Sequence, residues 1–308
     1  MEIAPGIHRI ELTYAPLGLA MYALLGERVV LVDAGYAGGA PQIDAYLRRV
    51  GRALAEVSAC VFTHAHADHY GGASEVRAAA PRATFYVHPL DRAWVEDPEA
   101  HIRENYLWPA SCGLPLAPQV LDRVRGMLGP GVQVQTHLSD GDSVDVGGGW
   151  RLDVVHAPGH TAGHIALHDS RSNSLVAGDA VLEPAVLPPS YFDALIYIDT
   201  QDRLSRIGVN RLLGCHYPVK EGRDAGAFIR RAREHAAECH RVVVDVTTSS
   251  PQPVHLVTIA EALRGHFGLG DAPQRWVWCA QGHLAALERT GDVVRRQHNG
   301  LPAWERRR

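Results

Sequence analysis

Absences narrow the class of this chain before any motif does. No run of about 18 apolar residues occurs, so neither a membrane-spanning helix nor a membrane partner is expected. The first residues, Met1-Glu2-Ile3-Ala4-Pro5-Gly6, lack a basic segment leading into an apolar one, which sets the expectation of no secretion signal. Cysteine is scarce: Cys60, Cys112, Cys215, Cys239 and Cys279 are odd in number, scattered, and contain no C-x-x-C pair. They read as reduced thiols of a cytoplasmic protein rather than as a disulfide framework. Neither sign of charge dominates. A net charge of −4 gives no whole-chain reason to expect nucleic acid or an acidic membrane surface. Internal repeats and low-complexity tracts are missing as well.

What is there is an ordinary globular composition: 308 residues, 46% hydrophobic and 21% charged. Such a length suits one large or two unequal domains, with a core that needs no covalent staples. Apolar, turn-bounded runs at residues 7–12, 20–25 and 28–33 read as three short strands. Helical spacing over 41–50 places Ile43, Leu47 and Val50 on one stripe. A strand at 84–88, a hairpin of 143–146 with 151–155 around Gly147-Gly148-Gly149, and a charged amphipathic helix over 224–241 continue the alternation.

The chemistry is concentrated in Thr63-His64-Ala65-His66-Ala67-Asp68-His69. This segment follows a strand-like run at 57–62 and precedes Gly71-Gly72 and a helical pattern at 73–80, so it is a loop at the carboxyl end of a strand. In an extended loop, His64, His66 and Asp68 share one face and His69 points elsewhere. One histidine among eighteen is more often a satisfied core or surface residue than a ligand. Four ligand side chains within six positions are different, and they read as a metal motif. His160 in Pro158-Gly159-His160, Asp179 in Gly178-Asp179 and His216 in Cys215-His216-Tyr217 each end a strand-like run. Strands ending at one sheet edge would bring all three to the loop. Imidazole with carboxylate suits zinc, with iron and manganese left open. Seven candidate ligands are too many for one tetrahedral ion and about right for two.

In this order, the seven residues resemble the metallo-β-lactamase-fold hydrolase superfamily. Leu31-Val32-Asp33-Ala34-Gly35, Pro158-Gly159-His160-Thr161-Ala162-Gly163-His164 and Val176-Ala177-Gly178-Asp179 are similar to it too. The resemblance implies an αββα sandwich with two Zn(2+) ions at one edge of its sheets. It implies that His64, His66 and His160 hold the first metal, that Asp68, His69 and His216 hold the second, and that Asp179 bridges both. It further implies hydrolysis by a hydroxide held between the metals, with Asp68 as the catalytic residue that orients the nucleophile and passes a proton to the leaving group. His164 and Asp33 are candidates for orienting ligands, a plain structural role being the alternative.

Departures from the superfamily's branches narrow the activity. True β-lactamases usually lack the bridging aspartate, which Asp179 supplies here. Hydroxyacylglutathione hydrolases have His-Glu-Tyr where this chain has His216-Tyr217-Pro218. Quorum-signal lactonases place a tyrosine shortly after the bridging aspartate, where this chain has Leu182. What remains resembles the branch with a winged-helix tail, which includes thioesterases of acyl carriers and some endoribonucleases.

The expected organisation is a catalytic domain at 1–246 and a winged-helix-like domain at 247–308. Within the first, residues 89–131 form a helical insert with Trp94, Tyr106 and Trp108, read either as a lid or substrate wall or as aromatics packing on the sandwich. In the second, Ser249-Ser250-Pro251-Gln252-Pro253 reads as a linker. Helices at 254–267 and 273–289 and a hairpin around Asn299-Gly300 follow. Residues 264–308 carry a net charge of +4, which admits a nucleic-acid reading. Trp276, Trp278 and Trp304 favour packing or a homodimer instead. The leading expectation is a dinuclear hydrolase of a thioester, ester or lactone of a small-molecule or carrier-bound acyl substrate. The alternatives are an endoribonuclease or phosphodiesterase with the same metals, and a persulfide dioxygenase-like protein holding one iron with His64, His160 and Asp179.

Overall fold

The structure is a computed structural model that describes residues 1–14, 17–183, 188–268 and 273–307. Asp271 and Arg308, both counted in the basic tail, lie outside the described residues. Seven strands form the first sheet in chain order: β1 (Glu2–Ala4), β2 (Ile7–Tyr14), β3 (Leu17–Leu25), β4 (Val29–Val32), β5 (Val57–Val61), β6 (Thr84–Val87) and β7 (Thr136–His137). The pairs up to β4 are antiparallel, and those from β4 to β7 are parallel. Val29, Val30, Leu31 and Val32 are all buried, which is why β4 is a continuous apolar run: a parallel strand covered on both faces has no solvent side.

The second sheet holds β8 (Ser143–Gly147), β9 (Trp150–His156), β10 (Ile165–Asp169), β11 (Ser174–Gly178), β12 (Arg211–Gly214) and β13 (Lys220–Glu221). The two sheets face each other, with Tyr22, Val30 and Val61 packing against Leu152, Val154, Ile165 and Val176. Ile43 and Leu47, one turn apart on the helix Ala40–Arg49, seal the outer face of the first sheet together with Val76. Val50, expected on the same stripe, lies past the helix end and is exposed. Leu204, Phe228 and Ile229, from the helices Ala194–Ile207 and Arg223–Ser249, seal the second sheet. The layers therefore run helix, sheet, sheet, helix. Among the described residues, no helix is long and apolar enough to cross a membrane.

Two local expectations change at the carboxyl-terminal end. The helix starting at Arg223 continues to Ser249, so it takes in the first residue of the expected linker. Val254–His255 is a strand, β14, rather than the start of a helix. Val254 lies opposite Trp304 across the strand pair, and this apolar cross-strand contact overrides its place beside a helical run. With β15 (Val293–His298) and β16 (Leu301–Arg306) it forms a three-stranded sheet in the order β14-β16-β15, the helices Leu256–Phe267 and Val277–Thr290 lying between β14 and β15 in the chain. Trp276 and Trp304 are fully buried in a core that also contains Cys112 and Leu114 from the 89–131 segment, and Tyr197 and Val243.

Candidate metal centre

The loops that follow β5, β9, β11 and β12 meet at one edge of the two sheets, and each carries candidate ligands. Residues Ala67–Tyr70 make one helical turn rather than an extended loop. This corrects the expectation that His69 points away. Its Nε2 lies 4.0 Å from Asp68 Oδ2 and 3.7 Å from Asp179 Oδ1.

The seven residues gather as two adjoining groups. His64, His66 and His160 each offer a ligand atom within 4.8 Å of the others. His69, Asp179 and His216 do the same, together with the thiol of Cys215. Asp68 Oδ2 is 3.3 Å from His216 Nε2 and so joins the second group. Asp179 lies between the groups: its Oδ2 is 3.7 Å from His160 Nε2 and 3.3 Å from His216 Nε2.

Burial and charge test whether these residues fit metal ions. The Nε2 atoms of His69 and His160 are buried without a hydrogen-bond partner. Both face the Asp179 carboxylate at 3.7 Å, beyond hydrogen-bond reach. In the metal-free chain, burial first and neighbouring imidazoles second hold His64 and His66 well below the usual histidine range. Burial likewise lowers His160, with Asp179 opposing. Burial also works against protonation of His69 and His216, but the acidic groups around them, Asp179 included, outweigh it and raise both. For Asp68 and Asp179, burial opposes ionisation, but His69 and His216 outweigh it and hold both below the carboxylate range. His69 and His216 thus favour positive charge and Asp68 and Asp179 negative charge, a balance that a pair of divalent cations would serve. Orphaned imidazole nitrogens, paired carboxylates and this charge balance fit a divalent pair.

Supporting residues fix the ligand orientations. Asp33, at the end of β4, takes φ = 67°, an uncommon conformation for a residue with a Cβ. Its Oδ1 accepts from Thr63 N at 2.7 Å, and its Oδ2 lies 2.8 Å from His69 Nδ1. With Nδ1 donating there, a neutral His69 ring would present its Nε2 lone pair to a metal. His164 Nε2 accepts from the backbone N–H of Asp179 at 3.1 Å, and its ring stacks on His64 with centroids 4.7 Å apart. His160 Nδ1 lies 2.9 Å from the Ser190 carbonyl oxygen. Gly178 has φ = 50°, and a Cβ there would sit 2.6 Å from Thr63 Oγ1. Only glycine lets β11 deliver Asp179 this close to the histidine loop.

Sequence reasoning missed Asp91. Its buried carboxylate accepts from Ala65 N at 3.0 Å, Thr161 Oγ1 at 2.7 Å and Gly163 N at 2.7 Å, clamping two ligand-bearing loops together. An aspartate two residues after Pro89 carries no signal of that role. His101, also missed, stacks on His66 with centroids 5.8 Å apart, and Trp94 stacks on His101 at 4.9 Å. Cys215 could have been noticed only as the neighbour of His216.

A cavity of about 760 Å³ opens on the first histidine group. Its walls include His66, His160, Trp94, Tyr106, Trp108 and Trp278. Leu90 and Phe192, also in the wall, are 64% and 56% exposed, so the mouth is apolar too. Trp278 comes from the carboxyl-terminal helix, and its Nε1 donates to Asn105 O at 3.0 Å, tying that helix to the 89–131 segment.

Fold and site together define a metallo-hydrolase arrangement of the αββα kind. Residues 18–216 match the family model of the Metallo-beta-lactamase superfamily, and the chain belongs to that superfamily. It is 27% identical to the Bos taurus protein named acyl-coenzyme A thioesterase MBLAC2, over 70% of this chain and 78% of that one. A hydroxyacylglutathione hydrolase of Bdellovibrio bacteriovorus is 30% identical over 50% of this chain and 44% of its own length. Among solved structures, a metallo-beta-lactamase family protein of Thermus thermophilus superposes with a TM-score of 0.80 at 21% identity. That likeness covers 99% of this chain and 100% of the other, so the shared fold includes the carboxyl-terminal residues.

Proposed function

We propose that this protein is a dinuclear metal-dependent hydrolase of a carboxylic thioester, ester or lactone, with a thioester of a small-molecule or carrier-bound acyl group favoured. The observation that carries the reading is the apolar, tryptophan-walled cavity opening on His66 and His160. An acyl chain can be desolvated there while its carbonyl reaches the histidine cluster. The names of the bovine and Bdellovibrio relatives, both acyl hydrolases, support the same class.

His64, His66 and His160 would hold one metal, and Asp68, His69 and His216 the other, with Asp179 shared. Zinc suits this donor set, with iron and manganese as alternatives. When bound, such a pair supplies an acidified water and a Lewis acid for the carbonyl oxygen. Asp68 stays ionised beside His69 and His216, and its side chain keeps 29% exposure, so it can accept a proton at Oδ and deliver it to the leaving sulfur or oxygen. Trp94 and Trp108 exclude water around the acyl group. We further propose that residues 1–246 form the catalytic unit and 247–308 a winged-helix-like unit that supports the fold or a dimer. The helix–helix–hairpin order and the buried Trp276 and Trp304 support that division.

The test is a turnover screen of acyl-coenzyme A thioesters, lactones and phosphodiesters on metal-replete protein. Preference for acyl thioesters is expected. Turnover of phosphodiesters alone would replace this reading with the nuclease alternative, and oxygen uptake with one iron per chain would replace it with the dioxygenase alternative.

A further inference from the structure

A second set of metal-ligating side chains lies outside the site just described. His235 and Cys239 are one turn apart on the helix Arg223–Ser249, and Cys279 and His283 are one turn apart on the helix Val277–Thr290. The thiols of Cys239 and Cys279 and a ring nitrogen of His283 lie within 4.8 Å of one another. All three residues are 0% exposed.

Buried thiols alone would be ordinary small core residues. The histidines are what this reading leaves unexplained. His283 Nδ1 lies 3.2 Å from His240 Nδ1, while its Nε2 is buried with no hydrogen-bond partner. His235 Nε2 is in the same condition. An imidazole held by one nitrogen, as His283 is by His240, with the other unpartnered beside two thiols is the arrangement of a metal ligand oriented from outside. Burial raises both thiols; contacts with Cys279, His235 and His283 outweigh it at Cys239 and lower that one, while Cys239 adds to the rise at Cys279.

We propose that Cys239, Cys279 and His283, with His235 completing the coordination, bind a structural zinc ion that joins the two helices. Two cysteine sulfurs with imidazole in a buried setting select zinc over hard cations, and with His235 as fourth ligand no open position would be left for a substrate. The ion would also brace the cavity wall. The Tyr191 ring lies 5.4 Å from that of His283, and the preceding residue, Ser190, is the carbonyl partner of His160.

The experiment measures metal content and cobalt spectra of the full-length chain purified without chelator, as wild type, Asp179→Ala, Cys215→Ser and Cys239→Ser/Cys279→Ser. About one zinc ion per chain is expected to survive Asp179→Ala and to be lost in the double serine variant. After cobalt exchange, a thiolate-to-cobalt charge-transfer band should appear in the wild type, Asp179→Ala and Cys215→Ser proteins. Absence of that band from the wild type overturns the proposal without requiring any variant to fold. So does its loss in Cys215→Ser, which would assign the thiolate to the hydrolytic centre. Resistance of Cys239 and Cys279 to alkylation of the unfolded wild type until a reductant is added would mean a disulfide, and would also overturn it.

Discussion

Asp33 Oδ2 and His69 Nδ1 lie 2.8 Å apart, with Asp33 in a left-handed backbone conformation that its contacts with Thr63 hold in place. The aspartate thereby favours the proton on Nδ1 whenever the His69 ring is neutral, as it must be to bind a metal.

Asp33→Asn separates that role from folding, because asparagine also tolerates a positive φ. Its amide N–H2 would face Nδ1 and force the other tautomer, placing a proton on Nε2. Metal affinity at the second group should fall about 10- to 100-fold, as measured by chelator competition. Unchanged affinity would mean that Asp33 serves the backbone alone.

Removal of Asp179 should be felt in both groups. Its oxygens approach His69, His160 and His216, so Asp179→Ala leaves two cations without a shared counter-charge. Loss of both hydrolytic metals and of turnover is expected by elemental analysis and rate assay. Full metal content with near-normal turnover would show that the carboxylate is not shared.

Metal uptake should release protons. His69 and His216 hold theirs in the metal-free chain, whereas Asp68 and Asp179 are already ionised and His64, His66 and His160 are held neutral. Below the raised histidine pKa values, zinc addition should displace about two protons per chain, and affinity should rise with pH until those groups deprotonate. Calorimetry in two buffers of different ionisation enthalpy measures the count. No proton release near neutral pH would contradict the charge balance described above.

Trp108→Ala should raise KM or shift acyl-chain preference while leaving the hydrolytic metals in place, since the ring lines the cavity and packs edge-on against Trp278. Loss of folding with no selective kinetic change would instead identify a packing residue.

Truncation after Val246 removes Trp276 and Trp304 from a core shared with Cys112 and Tyr197. A large loss of thermal stability or a changed oligomeric state is expected, by scanning calorimetry and light scattering. Tight RNA binding with a steep salt dependence, abolished by the same truncation, would favour the nuclease alternative.

The layered sandwich and the seven candidate ligands were legible because both are written in short-range signals. Buried parallel strands such as Val29–Val32 are unbroken apolar runs, and each candidate ligand sits directly after one strand or another. His69 was misread because the face argument assumed an extended loop, and a single turn of helix has a different period. Asp91 and His101 were invisible for another reason. Their partners, Ala65, Thr161 and His66, are distant in sequence, and nothing local distinguishes either residue from any other surface-favouring type. The pairing of Cys239 with Cys279 was hidden in the same way, since forty residues and a change of helix separate them.

The helix Val277–Thr290 turns Trp278, Gln281 and Ala285 toward the cavity, three positions at helical spacing. All seven candidate ligands of the paired-metal centre lie at or before residue 216. One side of the cavity wall is therefore written in a stretch of chain that holds none of those seven residues. Sequence change confined to the cavity-facing side of that helix would reshape the cavity while leaving the histidine and aspartate cluster unchanged.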